Sequence, residues 1–116
     1  MADDPYRVIK TNVLPQLTEV RLYEDTVEKI ARGHREVPIE LPMMQDAIAT
    51  AVANPTHVES SYRGSYVYVD AESTNASGDP LRVPVKPIEG TSGRVRSAFF
   101  ASSEDNPEIV WRRGRE

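Results

Sequence analysis

Two segments of the chain repeat hydrophobic positions with the period of a helix. The first predicts a helix over residues 25–33 with one apolar face, and the second predicts a helix that begins at Pro42 and ends before Pro55. The first stripe, at i, i+3, i+4 and i+7, consists of Val27, Ile30, Ala31 and His34. The second consists of Met44, Ala47, Ile48, Ala51 and Val52.

Other segments have the alternation or the β-branched and aromatic content of strands. These segments are residues 17–22, 66–69, 81–86, 94–100 and 108–111. The order of two helices followed by several strands predicts an α+β fold, with two N-terminal helices packed on one face of a mostly antiparallel β-sheet. We expect one domain over residues 1–116, with mobile ends at 1–16 and 113–116. A short strand within residues 1–16 is compatible with this prediction.

Composition excludes several classes of function. The chain has no cysteine, which excludes disulfides, zinc–thiolate sites and a cysteine nucleophile. The first residues lack the basic and apolar regions of a signal peptide, and no apolar run reaches the length of a membrane helix. We therefore expect a cytoplasmic protein without a membrane partner, and delivery into another cell stays open.

Charge is divided unevenly along the sequence. The formal net charge is -4, and residues 1–62 carry six basic and ten acidic side chains. Residues 80–100 instead carry four basic side chains and one acidic one. This segment predicts a local basic surface that binds an anion, and a set of solvated strand charges is an equal alternative.

His34 is the polar member of the first helical stripe, next to Gly33. A helix that buries this stripe directs the imidazole toward the rest of the protein. One interpretation is a structural histidine that ends the helix and bonds a carbonyl group. The other is a general acid or base at the edge of a cleft.

Five short motifs stand at residues 24–36, 48–60, 66–68, 83–86 and 94–99. Together they resemble the phage and mobile-element branch of the nucleases grouped with barnase, EndoU, the tRNase colicins and RelE, and the resemblance covers residues 17–112. By this resemblance His34 and Glu36 match a histidine–glutamate pair, and Lys86 matches a strand lysine. Ser97 begins the segment that matches a Thr-Ala-Tyr element.

The chain departs from that pattern at two positions. Lys29 replaces the histidine of the first helix, and Arg35 replaces the proline after the second histidine. If both histidines act in the chemistry, these departures predict a weakened or inactive member of the group.

The resemblance implies a metal-independent RNA endonuclease of the toxin type, in which the ribose 2′-hydroxyl attacks the phosphate. Such a reaction needs a proton acceptor, a proton donor, and cations or hydrogen-bond donors around the phosphorane. We expect His34 as general acid or base, Lys86 as charge stabiliser and Ser97 as hydrogen-bond donor. The expected substrate-binding residues are Arg82, Arg96, Tyr66 and Tyr68, with Arg63 in reserve.

No cofactor and no metal ion are expected, because the sequence has no phosphate-binding glycine loop and no clustered ligands. The expected partners are RNA, with tRNA as one candidate, and a cognate antitoxin or immunity protein. Two alternatives stay open. The chain could be a non-catalytic binding or immunity-type protein whose acidic first half meets a basic partner. It could also be an accessory domain that keeps the nuclease fold without the activity.

Overall fold

One eight-stranded β-sheet organises the chain. The structure, a computed structural model, describes residues 7–33, 41–102 and 107–114. The strands are β1 (Arg7–Leu14), β2 (Leu17–Leu22), β3 (His57–Ser60), β4 (Tyr66–Thr74), β5 (Pro80–Glu89), β6 (Ser92–Val95), β7 (Phe99–Phe100) and β8 (Ile109–Arg112). The helices α1 (Glu24–Gly33) and α2 (Leu41–Ala53) lie between β2 and β3.

The predicted fold, with two N-terminal helices packed on a sheet, is wrong. Two strands precede the helices, and the domain is mostly β, with a sheet that curls into a half-barrel. The first strand, β1, begins at Arg7, within the segment expected to be a mobile end, and Ile9 and Leu14 are buried in the core. β2 enters the sheet by pairing with β6, about 70 residues later in the chain, and such a pairing leaves no local pattern to read.

The strands follow the order β1-β2-β6-β5-β4-β3-β8, and β7 continues along the edge of β5 beyond β6. Among the described strands, β2 and β6 pair in parallel and the other pairs are antiparallel. This order brings β2, the residues just before α1, next to the basic strands β5 and β6. The beginning of α1 and the second half of the chain therefore meet at one place.

The two helices bury the apolar faces that the sequence predicts. In α1, Val27 and Ile30 are buried, and in α2 Met44 and Ile48 are completely buried. α2 packs against β1, β4 and β5, whose inward side chains form the rest of the core. Burial of side chains of this size stabilises the fold by about 1.5–3 kcal/mol each. The core thus fixes which face of β5 and β6 points away from α2.

Two residues adapt the centre of the sheet to close contacts. Pro84 lies in β5 where the neighbouring chain leaves the ladder between Val95 and Phe99, and its carbonyl accepts a hydrogen bond of 2.8 Å from the Arg96 amide. A proline, which has no amide hydrogen, is tolerated at such an interruption. Gly93 in β6 lies so close to Val85 and Leu17 that a β-carbon would come within about 3 Å of both side chains.

Neither helix of the described segments combines the length and the apolar character that crossing a lipid bilayer requires.

Candidate functional site

Lys86 and Arg94 face each other across the β5–β6 ladder. Their neighbours Val85 and Val95 also form a pair, and both of these valines are completely buried. Because side chains alternate along a strand, Lys86 and Arg94 point to the opposite face of the sheet from this core pair. Arg96, two residues after Arg94 and just beyond the end of β6, lines the same groove as Lys86 and Arg94.

The helix α1 closes one side of this basic surface and forms a groove with it. The groove has a volume of about 440 Å³. Its lining residues are Asp25, Thr26, Lys29, Lys86, Ile88, Arg94, Val95 and Arg96. We call this the basic groove. It brings together Lys29 on α1 and Lys86 on β5.

Arg94 is already neutralised within the basic groove. Its Nη2 atom lies 3.0 and 3.1 Å from the two carboxylate oxygens of Asp25, and its guanidinium carbon lies 4.4 Å from the centre of the Tyr23 ring. This bifurcated contact, in which one guanidinium nitrogen donates to both carboxylate oxygens, and the cation–π contact hold the beginning of α1 against β6. They also remove one positive charge from the set that could bind an anion.

The other cations of the basic groove have no counter-charge among the residues that the structure describes. Within the described part of the chain, Lys29, Lys86 and Arg96 have no carboxylate partner. Lys86 and Arg96 are exposed. Cations that stand close together without counter-charges repel one another, and an anion placed between them relieves this repulsion. The electrostatics of the groove therefore favour binding of a phosphate or another anion.

A second hollow adjoins the basic groove on the far side of Lys86 and Arg96. It has a volume of about 390 Å³ and leads to the turn between β3 and β4. Besides Lys86 and Arg96 it is lined by Ser61, Tyr62, Arg63, Ser65 and Pro84. Because both hollows share Lys86 and Arg96, the two form one continuous surface with these cations at its centre.

The residues predicted to stack on a base do not reach this surface. Tyr68 is completely buried in the core, and its hydroxyl has no hydrogen-bond partner among the described residues. Burial raises the pKa of the Tyr68 hydroxyl far above its usual value of 10.0. Tyr66 is half-buried against the core, and its hydroxyl accepts a hydrogen bond from Gln16. The side chain on this surface that could stack is instead Tyr62, which is 75% exposed.

Arg82, another predicted substrate-binding residue, is buried on β5 and bound to Glu59. The Nη2 and Nη1 atoms of Arg82 bond the two oxygens of the Glu59 carboxylate, which also lies 2.8 Å from Nε2 of His57. The Arg82 and Glu59 side chains are 8% and 5% exposed. This arrangement joins β3 to β5 across β4, so Arg82 stabilises the sheet and does not line the basic groove.

The remaining predicted catalytic residues are placed as follows. Ser97 is half-buried and directly follows Arg96, but it is not among the described residues that line either hollow. His34, Arg35 and Glu36 lie outside the described residues, so the structure provides no geometry for the proposed acid or base. Of the expected site, Lys86 and Arg96 are brought together.

Over the described ranges 7–33, 41–102 and 107–114, no group of three histidine or carboxylate side chains is arranged to hold a metal ion. Comparison of the chain with protein-family models gives no match, and comparisons with curated proteins and with solved structures give no significant match. The candidate site therefore has to be interpreted from its own geometry.

Sequence reasoning missed two parts of this site. Tyr62 stands in the sequence Ser61-Tyr62-Arg63-Gly64, an aromatic and a cation beside a glycine between two strands, which is a signal for an exposed turn. The sequence interpretation treats Lys29 only as a departure from the nuclease pattern, although a lysine carries a full positive charge at that position. The neutralisation of Arg94 by Asp25 has no signal in the sequence, because 69 positions separate the two residues.

Proposed function

We propose that the chain binds RNA through the phosphates of its backbone, with Lys29, Lys86 and Arg96 as the contact residues. The observation that supports this most directly is the juxtaposition of these three cations, without carboxylate partners among the described residues, in one groove. Phosphate contacts of this kind supply most of the affinity in binding that does not depend on sequence. The negative net charge of the whole chain does not oppose this, because the field at a groove depends on the nearest charges.

The pairing of the acidic residues argues against the alternative of an acidic protein-binding surface in the first half of the chain. Of the six described acidic residues up to position 62, four form ion pairs within the chain. These four are Glu19, Asp25, Asp46 and Glu59. For Glu19, the hydrogen bonds from Lys10 and Arg21 hold the pKa of the carboxyl below its usual value, so it stays charged and satisfied.

Salt-dependent binding of the full chain to RNA tests the proposal. We expect the logarithm of the binding constant to fall linearly with the logarithm of salt concentration, because each neutralised phosphate releases bound counterions. Lys86→Ala and Arg96→Ala should each make the salt dependence weaker, with a slope smaller in magnitude by about 0.7–0.9, the value for one phosphate contact. Arg112→Ala is the matched control, since Arg112 is an exposed cation on β8, three strands away from β5.

Two results would contradict RNA binding at this groove. One is an affinity for RNA that does not respond to salt. The other is an equal change of slope in Lys86→Ala and Arg112→Ala, which would mean that the whole surface attracts the polymer without a defined site. Binding of a basic protein instead of RNA at low salt would support the immunity-type alternative.

Cleavage of the bound RNA is the second part of the proposal, and it rests on His34 and on the groove. A lysine and an arginine beside the scissile phosphate would stabilise the phosphorane, and His34 would move the proton. The assay is incubation of purified protein with total RNA in the presence of a chelator, beside His34→Ala. We expect cleavage that leaves a 2′,3′-cyclic phosphate and that falls about 10²–10⁴-fold in the variant. Equal cleavage by both proteins would exclude His34 as the proton-transfer group.

A further inference from the structure

The turn between β3 and β4 has an unusual backbone conformation. Arg63 has φ = 59° and ψ = 37°, in the left-handed region, and Gly64 follows with φ = 77°. A residue other than glycine in this region costs on the order of 1 kcal/mol, and such strain is found most often at functional sites. Two backbone hydrogen bonds, from the Ser61 amide to the Ser65 carbonyl and from the Ser65 amide to the Tyr62 carbonyl, hold the turn in shape.

This conformation places an aromatic ring and a cation side by side at the edge of the basic surface. The guanidinium carbon of Arg63 lies 5.0 Å from the centre of the Tyr62 ring, within the range of a cation–π contact. The Tyr62 side chain is nevertheless mostly open to solvent. The contact restricts the ring without covering it, so the Tyr62 side chain is partly ordered before any ligand binds.

The turn places Tyr62 and Arg63 next to the cations of the basic groove. Tyr62 and Arg63 line the same hollow as Lys86 and Arg96, the cations that we propose to bind phosphates. An isolated exposed tyrosine would need no explanation. A tyrosine that contacts an arginine and lines the same hollow as two further cations matches the surfaces on which proteins bind single strands, where aromatic rings stack on bases beside a positively charged track.

We propose that Tyr62 stacks on an unpaired base and that the site therefore selects single-stranded RNA over duplex RNA. This rests on the proposed function, because the phosphate contacts at Lys86 and Arg96 bring the base to the turn. The bases of a duplex are stacked on one another and their faces are covered, so a duplex can satisfy the cations but not Tyr62. Arg63 contacts the Tyr62 ring and holds it in place for the base. It also contributes a positive charge next to the adjoining phosphate.

The test compares three ligands of equal phosphate number. They are a short oligouridylate, the same backbone without bases, and a duplex RNA. Binding is measured at one moderate salt concentration for the wild type, Tyr62→Ala, Tyr62→Phe and Lys86→Ala, all as the full chain. Tyr62 is exposed, so its variants should fold, and a thermal melt of each confirms this.

For Tyr62→Ala we expect affinity for oligouridylate to fall about 5- to 150-fold, the range that corresponds to loss of one aromatic stack. Affinity for the base-free backbone and for the duplex should not change. Tyr62→Phe keeps a stacking ring and should stay within about twofold of the wild type. Lys86→Ala should weaken binding of all three ligands, because each carries phosphates.

Two results would overturn the stacking proposal while leaving phosphate binding in place. One is an equal loss for all three ligands in Tyr62→Ala, and the other is no loss for oligouridylate. The failure of the proposed function gives a different result: no binding of any ligand by the wild type, or no effect of Lys86→Ala on any of them. In that case single-strand selection by this turn is excluded as well.

Discussion

Lys86 of β5 stands directly opposite Arg94 of β6, and only Arg94 has a carboxylate partner among the described residues. Two like charges in opposite positions of an antiparallel ladder destabilise it. Asp25 relieves the repulsion at Arg94 and leaves Lys86 as the free cation of the pair. The division of roles is physical: Arg94 attaches α1 to the sheet, and Lys86 remains available to an anion.

Removal of the counter-charge at Arg94 should strengthen RNA binding. In Asp25→Asn, the guanidinium of Arg94 loses its carboxylate and becomes a further phosphate contact, so the salt slope should steepen by about 0.7–0.9. Stability should fall by no more than about 1 kcal/mol, because this pair is largely exposed. Asp46→Asn is a closely matched control. Its pair with Arg7 has the same side-chain exposures, 75% for the aspartate and 37% for the arginine, and it lies outside the groove. Equal steepening in both variants would mean that total charge, not Arg94, sets the affinity.

Loss of one member of the buried pair Arg82–Glu59 should strongly destabilise the fold. Arg82→Met leaves the Glu59 carboxylate buried without its main partner, at a cost of about 3–5 kcal/mol. The double variant Arg82→Met with Glu59→Leu should recover most of that loss, because both charges of the pair are removed from the interior. Urea denaturation measures each free energy of unfolding. Arg96→Ala, an exposed control, should change it by less than about 0.5 kcal/mol. A single variant as stable as the wild type would show that the pair carries no structural role.

Tyr68 should make the fold sensitive to alkali. Its pKa is raised in the folded state, so its contribution to stability is complete below pH 10 and is lost as pH rises from 10 toward the folded-state pKa. The free energy of unfolding should therefore fall by about 1.4 kcal/mol per pH unit in this window. In Tyr68→Phe this component of the slope is absent. Unfolding free energies of both proteins at pH 8 and pH 11 measure the difference, and parallel losses in the two proteins would contradict burial of the hydroxyl.

Gly93→Ala should destabilise the junction of β2, β5 and β6. The added β-carbon would lie 2.9 Å from Cγ1 of Val85 and 3.0 Å from Cδ2 of Leu17, and such overpacking costs about 1–3 kcal/mol. A double-mutant cycle with Val85→Ala checks the cause, since removal of Cγ1 should make the double variant more stable than the sum of the single changes. Additive losses would place the strain elsewhere.

The sequence by itself determined both helices and the strands at residues 17–22, 66–69 and 81–86, because helices and strands leave a periodic pattern in the residues that form them. It did not predict β3. The stripe at Val27 and Ile30 and the stripe at Met44 and Ile48 are buried as predicted. The alternation in residues 81–86 placed Lys86 on the face opposite Val85. With the strand signal at 94–100, it also put Lys86 and Arg94 on neighbouring strands.

Tertiary structure decided the order of the layers and the identity of the site. The parallel pairing of β2 with β6 and the position of the helices after two strands depend on contacts between distant residues. Contacts between distant residues also decide which cations are neutralised. Arg82 is paired with Glu59, whereas Lys86 is exposed and has no carboxylate partner among the described residues. Alternation identified the strand with Tyr66 and Tyr68 but not which of its faces the core would cover. Local periodicity carries no information about which element packs on a face of a strand. Packing against the core covers Tyr66 and Tyr68, whereas the Tyr62 ring, in the turn between β3 and β4, stays exposed.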